Sequence, residues 1–498
     1  MNCMKRIVSI VCCLAMLLTF AVACSKDDVT DPDTTKTPSA GSDNGDLYDA
    51  NGYLKDSIPD NLDYGGEDIK IMGWNDSEAS RDFNVDTASG DQITYQTYAR
   101  NTAVEMRLHV KLDFDLSLAG NNANRYDYIA AVEKNLMAGE NYDLIACYSQ
   151  NVANFAVDGY LTDLNAQSAF EFDKPWWSSY MVENSTINNK VYFASGSIST
   201  TALLRTMVMA VNMDRVYNLG LDDPRELVKA GNWTMEEFYK MCTNTYSDIN
   251  SEIAGKDNAD EFGFAMWDGT IGDAFLVSNG LHYLSTDNTG KIVIAPDFKG
   301  EKIYDTAKSL IDKFKTDDYL YENTNNYKVF TSGRSMLFGT RFDFFTEFGY
   351  KEQMSFNYGY LPFPKADAEQ DNYYSNCGFI FSMWCIPQQC KNYERAAYVM
   401  EALASAGYRM VQPEVYEEVK YRGSNDAINA EMFDIIIESK TYDMGAVFHN
   451  NFAWADSPVA LWRTRLYKYD NVDWYSALAN KSSAIEGVLA NINSSFGY

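Results

Sequence analysis

The stretch from Asn188 to Met241 reads NNKVYFASGSISTTALLRTMVMAVNMDRVYNLGLDDPRELVKAGNWTMEEFYKM, and its local signals decide how the rest of the chain is read. Val191 to Phe193 is a short β-prone run. The small, flexible residues Ala194 to Ser199 follow, and then a second strand-like run from Leu203 to Val211. A strand, a pliable spacer and another strand predict a passage of the backbone between two lobes. Asn212-Met213-Asp214-Arg215 opens a short helical segment that Gly220 can close in the left-handed conformation, with Pro224 shortly beyond as a stop. Thr234 followed three residues later by Glu237 reads as a capping box, so the next helix starts at Trp233 or Thr234.

A chain of 498 residues with 46% hydrophobic content can bury a large core, and its length favours two or more lobes over one. Lys5 and Arg6 precede an apolar run from Ile7 to Val22, short for a spanning helix and shaped like a secretory signal. The run ends in Ala21-Val22-Ala23-Cys24. Small residues before that cysteine resemble the bacterial lipoprotein processing site, which implies that Cys24 is the acylated first residue of the mature chain. The alternative is an ordinary signal with Cys24 incidental. Residues 25 to about 62 are Asp, Thr, Pro, Ser, Gly and Asn with few apolar side chains, and read as a flexible spacer between lipid and domain.

The formal charge is −29, and it becomes −31 when residues 1–23 are removed, because they carry Lys5 and Arg6 and no acid. Such an acidic surface repels nucleic acid and anionic lipid as partners. Cys147, Cys242, Cys377, Cys385 and Cys390 remain after the leader, an odd number that does not form a disulfide scaffold. Cys385 and Cys390 are near enough in sequence to bridge, with free buried thiols the blander account.

Beyond Asp68, Ile69–Trp74 (strand), Ile93–Leu108 (helix), His109–Leu116 (strand), Tyr126–Ala138 (helix) and Tyr142–Cys147 (strand) alternate. That alternation predicts a mostly parallel sheet with helices on both faces. Ligands of such sheets sit beyond the carboxyl ends of the strands, where Trp74 and Tyr148 stand. Phe262 to Met266 is a further strand candidate, ending at Trp267-Asp268. Ile303, Ala307, Leu310, Ile311 and Phe314 keep helical spacing and mark the buried face of a long helix.

Several short stretches, taken in order, resemble those of bacterial extracellular solute-binding proteins of the carbohydrate type. They are Asn189-Lys190-Val191-Tyr192, Val211-Asn212-Met213-Asp214, Gly220-Leu221, Pro224 and Asn232-Trp233-Thr234-Met235-Glu236-Glu237. Gly159-Tyr160-Leu161-Thr162-Asp163-Leu164 and Phe330 to Phe338 continue the likeness, as do Tyr358 to Pro364, Asn376 to Phe379 and Asn392 to Ser405. Val211, Asn189 and the order Trp233-Thr234 depart from the usual residues. The resemblance covers about Asp68 to the C-terminus. It implies a two-lobed, periplasmic-binding-protein-like fold of type II, each lobe a mostly parallel sheet flanked by helices. Residues 65–198 and 378–407 would form one lobe, and 199–377 with 408–498 the other. The chain would cross near Ser195–Thr201, return near Cys377 and cross again near Ser405–Met410.

The three histidines are scattered, and no Cys-x-x-Cys, Gly-x-Ser-x-Gly or Gly-Lys-Ser/Thr motif occurs, so no metal site, cofactor or nucleophile is expected. Two of the 70 acids forming a glycosidase pair stays open at this stage. Asp113-Phe-Asp115 has the form of a metal motif but sits on an alternating strand. Aromatic residues are in excess, with 35 tyrosines and nine tryptophans. Flat rings stack on sugar C–H faces while polar groups at the rim bond hydroxyls. The ligand-binding candidates are Trp74, Tyr148, Gln150, Trp267 and Asp268, with Arg341 and Asp343 from the likeness to the loop by which the family enters the cleft, and Trp462 from the likeness to its late helix. The resulting expectation is a monomeric, lipid-anchored receptor that captures an oligosaccharide without chemistry and docks on an ABC permease. The rivals are a helical-repeat glycan-binding lipoprotein and an anchored carbohydrate-active enzyme.

Overall fold

The computed structural model describes residues 47–76, 80–83, 91–121, 123–250, 256–320, 326–346, 349–421, 426–468 and 473–498. The leader, Cys24 and residues 24–46 of the expected spacer lie outside them. Residues 47–55 belong to a small unit of their own, in which a bridge joins Tyr48 to Leu54 and the Asp49 carboxylate accepts from the backbone of Asn51 and Tyr53.

Two short hairpins pair Thr186–Ile187 with Lys190–Val191 and Leu284–Thr286 with Ile292–Ile294. The other strands are, in chain order, β1 (Glu67–Met72), β2 (Val110–Asp115), β3 (Leu144–Tyr148), β4 (Met207–Asn212), β5 (Phe262–Met266), β6 (Tyr319–Leu320), β7 (Ser335–Arg341), β8 (Tyr358–Leu361), β9 (Ser375–Asn376), β10 (Ser382–Cys385) and β11 (Lys440–Thr441). A first sheet has the order β10-β3-β1-β2 and a second the order β6-β5-β7-β4-β8. In the first, β1 runs parallel to β2 and β3 while β10 is reversed. In the second, β4 is the reversed strand, antiparallel to both β7 and β8. This α/β arrangement leaves no room for the helical-repeat reading, which predicts almost no strand.

Local chemistry explains most elements. Asp91 caps the helix Gln92–Leu108 by accepting from Ile93 N, and His109 ends it at φ 49°. Asn212 caps the helix Met213–Asn218, and the Thr234 hydroxyl accepts from Glu237 N at the start of Met235–Cys242. The helix Glu301–Phe314 buries Ile303, Ala307, Leu310, Ile311 and Phe314, the set its spacing predicts. The second sheet packs on rings: Phe238 lies 5.2 Å from Phe264 and 5.6 Å from Phe275. The structure shifts one expected strand. Thr201–Leu204 is a helical turn, and β4 begins only at Met207, because Thr206 pairs with Cys377 where the chain enters the second sheet.

The backbone passes between the sheets three times. Ala194 still pairs with Trp384 of the first sheet, and by Met207 the chain is in the second. It returns between Cys377 and Ser382, beside the first passage, with Gly378 N donating to Arg205 O. The third passage follows the helix Tyr393–Ala406 through two π-helical segments, Gly407–Val411 and Glu417–Tyr421, which flank Gln412–Tyr416. Pro413 cannot donate to an α-helical ladder, and the wider turn just before it absorbs that break. Gly407 is packed so closely that a Cβ there would lie 2.0 Å from Ser197 O of the first passage.

Buried polar groups pin these passages. The Asp82 carboxylate accepts from Ser199 Oγ (2.6 Å), Thr201 N (2.9 Å), Thr201 Oγ1 (2.6 Å) and Ser382 N (3.2 Å). Glu401, wholly buried, accepts from Trp176 Nε1 at 2.7 Å and Trp177 Nε1 at 2.8 Å. Asp56 accepts two bonds from Arg107 and one each from Arg409 and Ser405. Although burial pushes the Asp56 carboxyl upward, those hydrogen bonds and the two guanidinium charges outweigh it and hold the pKa at about 2. Residues from Asp56 onward thus belong to one folded unit. The five cysteines after the leader are free and buried, Cys385 and Cys390 included.

Candidate ligand-binding cleft

Gly73 follows β1 because a Cβ there would stand 2.5 Å from Leu116 Cδ2, and the next residue, Trp74, turns under the end of the sheet. Its Nε1 donates to Ser382 Oγ (3.0 Å), and its ring meets Tyr148, at the end of β3, edge-on at 5.4 Å. The Tyr148 hydroxyl donates to Gln150 Oε1 at 3.4 Å. Trp74, Tyr148 and Gln150 are therefore brought together, but all three are buried and form the base of this sheet end rather than its surface.

The end of the second sheet is built differently. Trp267 follows β5 and stays half-buried, with the Arg341 guanidinium 5.6 Å above its ring. Phe344 and Tyr350 stand edge-on to it at 5.4 and 5.7 Å, and Tyr327 lies 4.7 Å from Tyr350, so these three rings box the indole. Arg341 is aimed by Asp343, which accepts from its Nε at 3.2 Å and pairs with its Nη2 at 3.1 Å. Asp343 is itself fully buried and also pairs with Arg205, so it orients two guanidiniums and does not offer an open acceptor. Asp268 is exposed, and its carboxylate caps its own turn by accepting from Thr270 N (2.7 Å) and Thr270 Oγ1 (2.5 Å).

The two sheet ends are joined by the returning segment. A Cβ on Gly378 would lie 3.6 Å from Arg341 Cδ, and the next residue, half-buried Phe379, stands edge-on to Tyr148 at 6.3 Å. The Arg463 guanidinium sits 5.3 Å from the Phe379 ring and 5.8 Å from that of Trp454. Asp273 holds Arg463 by accepting from Nε at 3.0 and 3.1 Å and from Nη2. Trp454 is 44% exposed, with His449 edge-on at 5.0 Å. Burial, reinforced by Arg463 and Arg125, drops the His449 pKa to about 3, so the imidazole is neutral at ordinary pH. A second bridge runs from beyond β1 to beyond β7, where Arg81 donates to Thr346 Oγ1 and Thr346 O at 3.4 and 3.3 Å.

Trp462 is not part of this cluster. Its indole is buried, donates to Gly272 O at 2.9 Å and packs edge-on against Trp474. On the helix Pro458–Lys468 it is the next residue, Arg463, that points to Phe379. Sequence reading missed Phe379, Trp454 and Arg463 as site residues. Arg463 had a signal, lying beside the chosen tryptophan, whereas Trp454 sits in a short irregular stretch without periodicity. Asp113 is exposed on β2, as the alternating strand suggested. Among the described residues no group of three or more His, Cys, Asp or Glu is placed to hold a metal ion.

No protein-family model matches the chain, and no curated protein matches it. Solved structures do. A cyclo/maltodextrin-binding protein complexed with maltotetraose superposes with a TM-score of 0.55 at 12% identity, over 84% of this chain and 96% of that one. An extracellular solute-binding protein from Staphylococcus aureus in complex with maltose gives a TM-score of 0.55 at 12% identity, over 84% and 98%. An ABC substrate-binding protein from Listeria monocytogenes in complex with cycloalternan gives 0.52 at 11%, over 87% and 100%. With two mixed sheets, three passages between them and these likenesses, the chain has the two-lobed, periplasmic-binding-protein-like fold of carbohydrate-type extracellular solute-binding proteins.

Proposed function

We propose that this chain is the lipid-anchored substrate-binding protein of an ABC importer, and that it captures an oligosaccharide between lobes comprising residues 65–198 with 378–407 and 199–377 with 408–498. The observation that carries the reading is the set of accessible rings at the facing sheet ends, Trp267, Phe379 and Trp454, each beside an arginine that a buried aspartate fixes in place. Rings of this kind stack on the C–H faces of pyranoses, and guanidinium N–H groups donate to hydroxyls and ring oxygens. Trp74, Tyr148 and Gln150 support that surface from below, and Asp343 sets the direction of Arg341. Asp268 closes the rim.

Closure follows from differential contact: only the form in which both sheet ends touch the ligand gains both sets of interactions, so binding shifts the population toward it. Nothing in this scheme transforms the ligand, and in this reading the protein is a receptor rather than an enzyme. The solved structures of this fold cited above are binding proteins that hold maltotetraose, maltose and cycloalternan, which supports a sugar in this cleft. Among the described residues no helix is long and apolar enough to cross a membrane, and in this reading attachment rests on Cys24. The test is calorimetry of the mature chain against a panel of glycans and peptides. Saturable binding of a glycan, recovered unchanged, is the expected result; binding of peptides alone overturns the carbohydrate reading, and turnover of a bound glycan overturns the receptor reading.

A further inference from the structure

Behind the first passage lies a cavity of about 230 Å³ that the sugar reading leaves unused. Its walls come from Trp177 and Tyr180, from Ser197 to Leu203, from the helix Gln412–Tyr416, and from Ile437 to Lys440. One side is apolar, made by the Trp177 ring with Leu203, Val415 and Ile437. The other side carries a cation. Lys440 forms no ion pair among the described residues and rests its Nζ 5.7 Å from the centre of the Tyr180 ring. Desolvation lowers the Lys440 pKa, and Glu438, which opens to solvent, is not among the groups that act on it.

The same cavity holds an unsatisfied donor. Thr200 is 6% exposed, and its Oγ1 has no hydrogen-bond partner among the described residues. Its neighbours are committed elsewhere: Ser199 Oγ donates to Asp82, and Ser197 Oγ donates to Gln412 Oε1 at 2.6 Å. A buried hydroxyl without an acceptor and a half-buried ammonium without an ion pair, set against an apolar wall, select for a guest with an anionic end and an apolar body. We propose that this cavity is a second binding site, for a small carboxylate whose charged end meets Lys440 and Thr200 and whose hydrocarbon ring packs on Trp177 and Val415. The volume holds about eight waters' worth of matter, which fits one carboxylate-bearing ring and excludes an oligosaccharide. The site lies apart from the cleft, and a glycan does not occupy it.

The probe is benzoate, titrated calorimetrically into the full chain with and without a cleft-bound glycan, with benzyl alcohol and inorganic phosphate as controls. One benzoate per chain is expected, with affinity about tenfold or more above that of either control and with the same stoichiometry in the glycan-saturated chain. Lys440→Met is expected to weaken it at least about tenfold and Thr200→Val severalfold. If circular dichroism shows Lys440→Met unfolded, Thr200→Val alone decides. Absence of saturable binding in the millimolar range, equal binding of phosphate, competition by glycan, or variants that bind as well as the parent overturn the proposal.

Discussion

Trp454 and Trp462 stand eight positions apart in sequence, yet one is exposed beside Arg463 and the other wholly buried beneath Gly272. Trp454→Ala is therefore expected to weaken glycan binding about tenfold while leaving the melting temperature nearly unchanged, since sugar stacking on an exposed ring is a surface contribution. Trp462→Ala is expected to cost about 3–5 kcal/mol of stability, because it empties a packed site and strands a carbonyl. Calorimetry and denaturant melts on both variants separate the two roles; a Trp454 variant that binds normally removes that residue from the cleft. The sequence distinguishes such residues poorly. Adjacent positions on one helix point about 100° apart, so whether Trp462 or Arg463 reaches the cleft depends on where Gly272 and Asp273 lie, and nothing local encodes that. The place of Trp267 was legible because the end of a strand fixes it without knowledge of the far side of the molecule, whereas Arg341 was placed by likeness to a loop of the family.

Among the elements, the helix Tyr393–Ala406 carries a titratable group at its core. Burial raises the Glu401 carboxyl from its ordinary 4.5 to about 7, against the opposing pull of the Trp177 and Trp176 indole donors and of the Glu171 backbone N–H, while the Glu171 charge adds a little to the rise. A carboxyl whose pKa is higher folded than unfolded gives its stabilisation below the unfolded value and loses it as the pH climbs through the folded one. The loss amounts to roughly 3 kcal/mol between about pH 4.5 and pH 7 and is complete above that. Glu401→Gln removes this dependence, so the stability of the parent relative to the variant is expected to fall as pH rises from 5 to 8 in urea melts. Parallel curves for the two chains mean that Glu401 does not titrate in this range. Elements of this kind were largely readable in advance: the Asn212 and Thr234 caps and the apolar face of Glu301–Phe314 are local facts. The helical turn Thr201–Leu204 was not, because an apolar run supports strand or helix equally and the Thr206–Cys377 pairing that starts β4 comes from 171 positions downstream.

At the scale of the whole molecule, the parallel pairing of β1 with β2 and β3 follows from alternating β and α segments, whereas the sites where the backbone changes sheets depend on pairings between remote segments. The Asp82 carboxylate gathers Ser199, Thr201 and Ser382, and so locks the first passage to the second. Arg81, its neighbour, reaches Thr346 on the opposite sheet end. One short segment thus touches both the pivot and the jaw. The bare backbone at Gly407 has a mechanical corollary. With Ser197 O so near, the first and third passages have no clearance, and any rotation of one half against the other must turn about that contact. A methyl group there is a wedge in a door: Gly407→Ala should leave the receptor propped ajar, with glycan release accelerated and, by small-angle scattering, a radius of gyration that no longer contracts on saturation.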